Sequence, residues 1–299
     1  MMNSGANTLN NKSDKMNRSL EEAKQIVEKN FSILELPSHS VAHLLTTLYA
    51  ENYSPDYCDK CFHSGIIVTI ENGEVITEEC SCKKYLKEQK KYKEALSKTN
   101  IPQKYHDFTI DMWVNIGRNE KEILSNKRSI QIIKNYIERI DTFRKRGYGL
   151  FICGPNGVGK TFLACEIGKA AVRAGYSVKF YTLAKIISLV LEGWYDEETR
   201  RETVRHIETC DFLIIDDCDK VYKSKSGIEV AIFDSMFRER LQWNRPVIFT
   251  SNVNSEQFSE SFNHSIYSMF LETSAEVVLV GEDYRKKISE QIKKDILND

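Results

Sequence analysis

Residues 154–161 read Gly-Pro-Asn-Gly-Val-Gly-Lys-Thr and match the pattern G-x-x-x-x-G-K-[ST] in full. Glycines in such a loop allow the backbone to curl so that its N–H groups face phosphate oxygens. An apolar segment precedes the loop and a helical segment follows it, as a phosphate-binding loop requires. A chance match in an ordinary glycine-rich turn is the alternative, and these two neighbours disfavour it. The loop therefore predicts that the chain binds a nucleotide through its phosphates.

Two side chains of this loop have expected roles. Lys160 would reach the β- and γ-phosphates, and the Thr161 hydroxyl would bind Mg²⁺. The other contacts are expected from the backbone of the whole loop, which comprises Gly154, Pro155, Asn156, Gly157, Val158, Gly159, Lys160 and Thr161.

Two further apolar segments end in polar side chains. The segment CDFLIIDDCDK places Asp216 and Asp217 at the carboxyl end of a strand candidate, where ligands bind in open α/β sheets. We expect Asp216 to hold Mg²⁺ and Asp217 to orient or deprotonate an attacking water. The segment RPVIFTSN ends at Asn252, whose amide would hold that water if the two strands are adjacent. The alternatives are aspartates that cap a turn and an ordinary Thr-Ser-Asn turn.

Four of the eight cysteines are clustered, as Cys58-x-x-Cys61 and Cys80-x-Cys82. Between the pairs, IIVTIENGEVIT alternates around Asn-Gly, which favours a β-hairpin that would bring the pairs together. Cys80 and Cys82 would point to one face of an extended strand, while the first pair would bracket a turn. Four converging thiolates predict a closed, structural Zn²⁺ site. Reduced thiols without a metal, or His63 in place of one cysteine, are the alternatives.

Composition excludes several classes of protein. The chain has 299 residues, 41% of them hydrophobic, which suits two globular domains. No apolar run approaches the roughly 18 residues of a membrane span, and the polar amino end has no secretory signal, so we expect a cytoplasmic protein without a membrane partner. The net charge of −1 gives no general attraction to nucleic acid. Eight lysines between residues 83 and 104 form either a solvated helix face or a strip that binds a DNA backbone.

The pattern along the chain predicts three regions. Residues 1–17 are expected to be a disordered tail, 18–99 a helical and zinc-binding domain, and 100–299 a nucleotide-binding domain of α/β class. In the first domain, helices are expected near residues 19–31 and 41–49 and over a charged segment that ends near Ser97. In the second, alternation of strands and helices predicts a parallel sheet flanked by helices. The strand candidates are Leu150–Cys153, Ser177–Tyr181, Phe212–Ile215, Val247–Thr250 and Val277–Val280, and the helix candidates are residues 160–174, 183–193, 226–242 and 255–271.

The order of these motifs resembles the AAA+ ATPases, in particular the bacterial helicase-loader family of DnaC and DnaI and the related transposition helper IstB. The resemblance is carried by GPNGVGKTFLA, FYTLAKIISLV, FLIIDD, RPVIFTSN and GEDYRKK, and it extends from about residue 101 to residue 287. It implies an AAA+ fold and an ATPase that uses ATP and Mg²⁺. It also implies that Asn252 is the sensor on the central strand and that Arg285 senses the γ-phosphate.

The resemblance further implies a partner, a hexameric replicative DNA helicase that the protein places on single-stranded DNA during the initiation of replication. DnaI-like loaders carry a comparable zinc-binding amino-terminal domain that docks on the helicase, so the cysteine cluster favours a loader over a transposition helper. The candidates for direct contact with DNA are three lysines that follow the Asp216–Asp217 turn. Lys220, Lys223 and Lys225 could approach a strand, but a solvated loop explains them as well.

One region departs from the loader pattern. AAA+ rings use an arginine of the neighbouring subunit, which in loaders lies on the helix after the Thr-Ser-Asn strand, yet residues 253–280 contain neither Arg nor Lys. His264 and Ser268 stand near the expected position. A missing arginine finger costs a factor of about 10³ or more in rate. The sequence therefore predicts a weak ATPase that relies on an arginine from a partner, such as the helicase, an initiator or a host loader.

Two alternatives to this prediction stay open. In the first, an arginine of the preceding helix or its end takes over as the finger; the candidates are Arg238, Arg240 and Arg245. In the second, the protein does not hydrolyse ATP and acts as an adaptor or inhibitor of the helicase, with nucleotide as a binding switch.

Overall fold

The computed structural model describes residues 58, 60–61, 65–71, 74–192, 197–220, 227–260 and 264–298. The predicted tail and the predicted helices near residues 19–31 and 41–49 lie outside this part of the chain. The chain divides into two compact units, Met1–Lys91 and Tyr92–Asp299. No helix among the described residues is long and apolar enough to cross a membrane.

The first unit contains the predicted β-hairpin. Strand β1 (Ile66–Glu71) pairs antiparallel with strand β2 (Glu74–Glu79), and Glu71 lies opposite Glu74. This register leaves two residues for the connection, the loop length that Asn-Gly favours. Helix α1 (Cys82–Ser97) follows directly and ends where the sequence predicts. The hairpin prediction is confirmed.

The second unit is built on a five-stranded parallel sheet with the order β4-β5-β6-β3-β7. Its strands are β3 (Gly149–Cys153), β4 (Val178–Thr182), β5 (Phe212–Asp216), β6 (Val247–Ser251) and β7 (Ser274–Val278). The predicted bounds of the first four are correct to within one residue at each end. The predicted bounds of the last strand, Val277–Val280, are wrong. This strand lies at the edge of the sheet and exposes Ala275 and Glu276, so its first half lacks the apolar pattern on which the prediction relied.

Helices cover both faces of this sheet. They are α2 (Glu120–Glu138), α3 (Ile140–Arg146), α4 (Lys160–Arg173), α5 (Leu183–Glu192), α6 (Glu197–Thr209), α7 (Ile228–Gln242), α8 (Ser255–Glu260), α9 (His264–Thr273) and α10 (Arg285–Asn298). The predictions near 160–174, 183–193 and 226–242 correspond to α4, α5 and α7. The single helix predicted for 255–271 is instead two helices, α8 and α9, and α2, α3, α6 and α10 were not predicted.

The alternation of side chains along each strand separates two apolar cores. Leu150 and Ile152 of β3 pack in one core with residues of α2 and α4. Phe151 and Cys153 of the same strand pack in the other core with residues of α5 to α9. The strands β3, β5 and β6 are buried at every position, as expected for a parallel sheet covered on both faces. The ends of these three strands are therefore held rigidly.

A buried arginine joins the starts of two strands. Arg240 of α7 is 0% exposed, and its Nη1 donates hydrogen bonds to the carbonyl oxygens of Ile207 at 2.5 Å and Cys210 at 3.0 Å. Its Nη2 donates to the carbonyl oxygen of Pro246 at 3.1 Å. Cys210 precedes β5 and Pro246 precedes β6. These bonds satisfy backbone acceptors that would otherwise be buried without partners.

Replacing Arg240 should destabilise the second unit. We expect Arg240→Ala to lower the free energy of unfolding by about 3 kcal/mol or more, because it leaves several buried carbonyls without donors and opens a cavity. Arg238→Ala on the same helix is the matched control. Arg238 pairs with Asp234 on the surface, so its variant should stay close to wild type. Urea denaturation followed by circular dichroism measures both, and equal midpoints for the two variants would contradict this role.

Candidate functional site

The phosphate-binding loop lies at the carboxyl end of β3 and leads into α4, which begins at Lys160. Strand β6 pairs with β3 on one side and with β5 on the other. The end of β6 therefore lies between the loop and the end of β5. The predicted adjacency of the Asn252 strand and the Asp216 strand is confirmed.

Lys160 is the centre of the hydrogen bonds in the loop. Its Nζ donates to the carbonyl oxygens of Gly154 and Pro155, each at 2.8 Å, and to Oδ1 of Asn252 at 3.0 Å. The side chain is buried, and burial lowers the pKa of Lys160 while the carboxylates of Asp217 and Asp219 oppose this shift. The structure thus brings two of the predicted site residues, Lys160 and Asn252, into direct contact.

Asp216 joins the loop to the two neighbouring strands. Its Oδ1 accepts hydrogen bonds from Oγ1 of Thr161 at 2.8 Å and from Oγ1 of Thr250 at 2.5 Å. Burial raises the pKa of Asp216, and both hydroxyl contacts oppose that shift. A carboxylate and a hydroxyl side by side are oxygen donors of the kind that Mg²⁺ binds beside phosphates. The residues present therefore fit the predicted Mg²⁺ site.

Asp217 lies in the turn that follows β5. Its backbone is in the left-handed region, with φ of 51°, and its N–H donates to Oγ1 of Thr250 at 3.0 Å. Its carboxylate accepts a hydrogen bond from Nζ of Lys220 at 2.9 Å. The side chain lines the same cavity as Lys160, but an ion pair with a lysine already engages it. Its role toward water stays a prediction.

Asp219 is a site residue that sequence reasoning missed. Its Oδ1 accepts a hydrogen bond from the backbone N–H of Asn252, and its Oδ2 accepts one from the side-chain amide of Asn252, both at 2.9 Å. The signal in the sequence was a third acidic residue in the segment DDCDK. Nothing local indicated that this carboxylate would reach a residue 33 positions further along the chain.

A cavity of about 520 Å³ opens beside the loop. Asn156 to Thr161, Asp217 and Arg285 form its polar side, so the structure brings Arg285 to the predicted site. The rest of the wall is largely apolar and includes Phe108, Met112, Trp113, Val114, Tyr284 and Ile288. The volume and this mixture of surfaces suit a ligand with a flat ring at one end and charged groups at the other.

A buried lysine holds the segment that carries part of this wall. Lys169 of α4 is 0% exposed and forms an ion pair with Glu166 at 2.5 Å. Its Nζ also donates to the carbonyl oxygens of Tyr105 at 2.6 Å, of His106 at 3.2 Å and of Phe108. The segment before α2 is thereby attached to the helix that follows the phosphate-binding loop.

The four clustered cysteines converge in the first unit. Their Sγ atoms all lie within 4.8 Å of one another, and the separations are 3.8 Å between Cys58 and Cys80 and 3.1 Å between Cys61 and Cys82. A tetrahedral Zn²⁺ with bonds of 2.3 Å places its sulfur ligands about 3.8 Å apart. None of these four cysteines forms a disulfide, so the donor set fits a metal ion.

The predicted local geometry of the cysteines is correct for one pair. The backbone N–H of Cys61 donates to the carbonyl oxygen of Cys58, so these two residues bracket a turn. The prediction that Cys80 and Cys82 share an extended strand is wrong, because β2 ends at Glu79 and Cys82 is the first residue of α1. The change from strand to helix still directs both sulfur atoms inward. His63 lies outside the described residues.

Comparison with known proteins identifies the family. Residues 130–292 match the family described as IstB-like ATP binding protein, which is more than half of the chain. The chain belongs to this family. The match contains the phosphate-binding loop, Asp216, Asn252 and Arg285, and it begins after the cysteine cluster.

Two curated proteins that this chain resembles are named for different functions. The chain is 28% identical to the insertion sequence IS21 ATP-binding protein of Pseudomonas aeruginosa over 150 residues, which are 48% of this chain and 55% of that protein. It is 22% identical to the replicative helicase loader DnaI of Bacillus subtilis over 204 residues, which are 68% of this chain and 63% of that protein. The matches thus span less than two thirds of either relative.

The chain also shares its fold with a helicase loader of known structure. The crystal structure of the DnaC helicase loader superposes with a TM-score of 0.51 at 19% identity, over 60% of this chain and 99% of that one. At this identity the likeness establishes the fold alone. The predicted AAA+ P-loop fold, with a parallel sheet flanked by helices, is confirmed.

The arginines named as substitutes for a finger are engaged within the subunit. Arg240 is buried as described above, and Arg245 donates to the carbonyl oxygen of Glu208 at 2.6 Å. Arg238 is bonded to Asp234 and to Oγ of Ser265, at 2.8 and 2.9 Å. Ser268, near the expected position of the finger, is exposed on α9, whose first residue is His264. Burial makes Arg240 the poorest substitute of the three.

Gly159 permits an aromatic ring to lie against the loop. Its φ is 94°, and a Cβ at this position would be 2.6 Å from Nε1 of Trp113, which donates to the carbonyl oxygen of Val158 at 3.1 Å. We expect Gly159→Ala to displace this ring and to weaken nucleotide binding. Urea denaturation measures the loss of stability that the displaced ring causes, and titration with a fluorescent ATP analogue measures nucleotide binding.

Gly175→Ala is the matched control. Gly175 has a similar φ of 89°, but a Cβ there meets nothing within 4 Å. Both variants carry the cost of a left-handed alanine, about 1–2 kcal/mol. Only Gly159→Ala should lose more than this and bind nucleotide less well. Equal losses in both variants would show that Trp113 does not matter at this position.

Proposed function

We propose that this protein is an ATP-dependent loader that binds the hexameric replicative DNA helicase and places it on single-stranded DNA during the initiation of replication. The observation that carries the proposal is that the chain combines a four-cysteine cluster outside the family match with a phosphate-binding loop inside it. A docking module joined to an ATP-dependent core is the organisation that a loader needs. Residues 18–99 would form this module, and residues 100–299 the ATPase.

The extent of the similarity supports a loader over a transposition helper. The match with DnaI covers 68% of the chain, whereas the match with the IS21 protein covers 48%. The identity favours the helper, at 28% against 22%, and this observation keeps the second function as the alternative. Because the AAA+ core can serve either function, the difference must be sought in the partner.

The side chains of the site would divide the work on ATP. Lys160 and the backbone of the loop would hold the phosphates, and Arg285 would contact the γ-phosphate from the start of α10. Thr161 and Asp216 would hold Mg²⁺, which when bound neutralises phosphate charge. Asp217 would orient or deprotonate the attacking water, with Asn252 as the second contact to that water. Lys220 would have to release Asp217 for this role.

Hydrolysis by the isolated protein should be slow. Residues 253–280 contain no Arg or Lys that could act at a neighbouring site, and the loss of a finger lowers rates about 10³-fold or more. We therefore expect a specific activity that stays constant as the protein concentration rises and that increases when the helicase or another partner supplies an arginine. Lys160→Ala should abolish the activity, while Lys134→Ala, a surface ion-pair variant, should retain it. A steep rise in specific activity with concentration for the protein alone would contradict this prediction.

The experiment that tests the function combines the full chain with a replicative helicase ring, with and without ATP. Native mass spectrometry measures the complex, and unwinding of a single-stranded circle with an annealed strand measures loading. Binding with ATP-dependent stimulation of unwinding supports a loader. Binding with inhibition would replace the loader by an adaptor that sequesters the helicase. No binding would overturn both and favour the transposition helper, which binding to a transposase on duplex DNA would then test.

The cysteine cluster should hold one Zn²⁺ per chain and should serve docking. We expect Cys61→Ser to lose the metal and to weaken helicase binding at least about tenfold, while ATP binding is kept, because the cluster lies outside the nucleotide site. Cys165→Ala, which changes a buried core thiol, is the control and should keep the metal. Plasma mass spectrometry measures zinc in both. Full zinc content in Cys61→Ser would refute the predicted metal site. Unchanged helicase binding by a variant that has lost its zinc would refute the role of the site in docking.

A further inference from the structure

The carboxylate of Asp219 is attached to Asn252 at two points. One oxygen accepts from the backbone N–H and the other from the side-chain NH₂ group, both at 2.9 Å. On the other side of the same amide, Oδ1 of Asn252 accepts from Nζ of Lys160 at 3.0 Å. We propose that Asp219 is a positioning residue that fixes which end of the Asn252 amide faces the nucleotide. This inference rests on the proposed ATPase function and assigns a part of the same site.

The chemistry of the three groups leaves one orientation. A carboxylate only accepts hydrogen bonds, and an ammonium group only donates them. Asn252 therefore has to turn its NH₂ group to Asp219 and its oxygen to Lys160. The opposite orientation would place two acceptors together at Asp219 and two donors together at Lys160. Asp219 thus makes Asn252 present its oxygen, an acceptor, to the phosphate-binding loop, and not its NH₂ group, a donor.

This orientation decides what Asn252 can do. An amide oxygen cannot bind a phosphate oxygen, because both are acceptors, but it can accept a hydrogen bond from a water molecule. Nζ of Lys160 has three donors, which are directed to Gly154, Pro155 and Asn252, so contact with a phosphate requires the release of one of them. Release of Asn252 leaves its oxygen to hold the attacking water. Asn252 is then a water-positioning group and not a direct sensor of the γ-phosphate.

The turn after β5 explains how Asp219 reaches Asn252. The N–H of Cys218 donates to the carbonyl oxygen of Thr250 at 3.0 Å, so the chain stays attached to β6 beyond the end of the strand. The left-handed backbone of Asp217, one residue before this contact, changes the direction of the chain, and the fully buried Cys218 side chain anchors the turn. Asp219 is thereby held over the end of β6.

Asp219→Asn reverses the amide while the shape of the side chain is kept. The backbone N–H of Asn252 can only donate, so it binds the oxygen of the new amide, and the new NH₂ group faces the side chain of Asn252. Asn252 must then turn its own oxygen to residue 219 and its NH₂ group to the loop. We expect kcat for ATP hydrolysis to fall at least about tenfold, since the water loses its acceptor. We also expect the ratio of ATP to ADP affinity to rise, because a donor now faces the γ-phosphate.

A second substitution should restore the acceptor. In the double variant Asp219→Asn/Asn252→Asp, the NH₂ group of residue 219 donates to one carboxylate oxygen of residue 252, and the other oxygen faces Lys160. We expect kcat to recover to within about threefold of wild type, with a raised KM because a carboxylate now faces the phosphates. Asn252→Asp alone should be inactive, because two carboxylates then face each other. If Asp219 contributed to stability alone, the second substitution would not restore kcat.

The experiment measures steady-state hydrolysis of ATP, and ATP and ADP binding by calorimetry, for the full chain and these variants. Asp141→Asn is the control and should match wild type. It changes a carboxylate of α3 that accepts a hydrogen bond from the hydroxyl of Tyr176. Wild-type rates and affinities in Asp219→Asn, or no recovery in the double variant, would overturn the inference and leave the ATPase intact. If wild type binds ATP but does not hydrolyse it, the ratio of ATP to ADP affinity tests the inference. A higher ratio in Asp219→Asn than in wild type supports it, and an unchanged ratio overturns it. If wild type binds no nucleotide, the proposed function fails, and this inference fails with it.

Discussion

The site depends on the position of β6 between β3 and β5. Parallel hydrogen bonds join β6 to both neighbours, and all three strands are buried on both faces, so their carboxyl ends cannot move independently. The loop follows the first of these strands, Asp216 ends another, and Asn252 follows the strand between them. Three contacts of the site join these strand ends: Lys160 reaches Asn252, and Asp216 reaches both Thr161 and Thr250. The geometry at the phosphate side is thus a consequence of strand order.

Charge within this rigid frame is arranged around buried groups. Burial lowers the pKa of Lys160 and raises that of Asp216, so each buried charge lacks part of the stabilisation that water would provide. Neighbouring polar groups offset some of this cost through hydrogen bonds. A triphosphate and a magnesium ion would offset more, since one stabilises the ammonium group and the other the carboxylate. An electrostatic frame of this kind is suited to respond to nucleotide.

The family core does not by itself determine which partner the protein serves. Residues 130–292 match a family that includes an insertion-sequence protein, and the longer match with DnaI extends beyond this segment. One fold can serve different functions, because function lies in the sites and surfaces that are added to the fold. The cysteine cluster lies outside the family match, and the proposed docking module rests on it.

Local patterns in the sequence were sufficient for the motifs that depend on local physics. The phosphate-binding loop, the Asn-Gly hairpin and four of the five strands follow from glycine spacing, turn preference and buried apolar runs, which short segments encode. The edge strand β7 and the break between α8 and α9 were not predicted correctly, because exposure and packing against distant helices decide them. The fate of charged residues depended most on tertiary structure. Arg240 was a candidate finger and is instead buried, where it supports the backbone, while Asp219, which had no predicted role, holds Asn252. A charged side chain takes its role from the partners that the fold brings to it. Ile207 and Cys210, which are partners of Arg240, and Asn252, which is the partner of Asp219, lie 30 to 33 residues away in the chain.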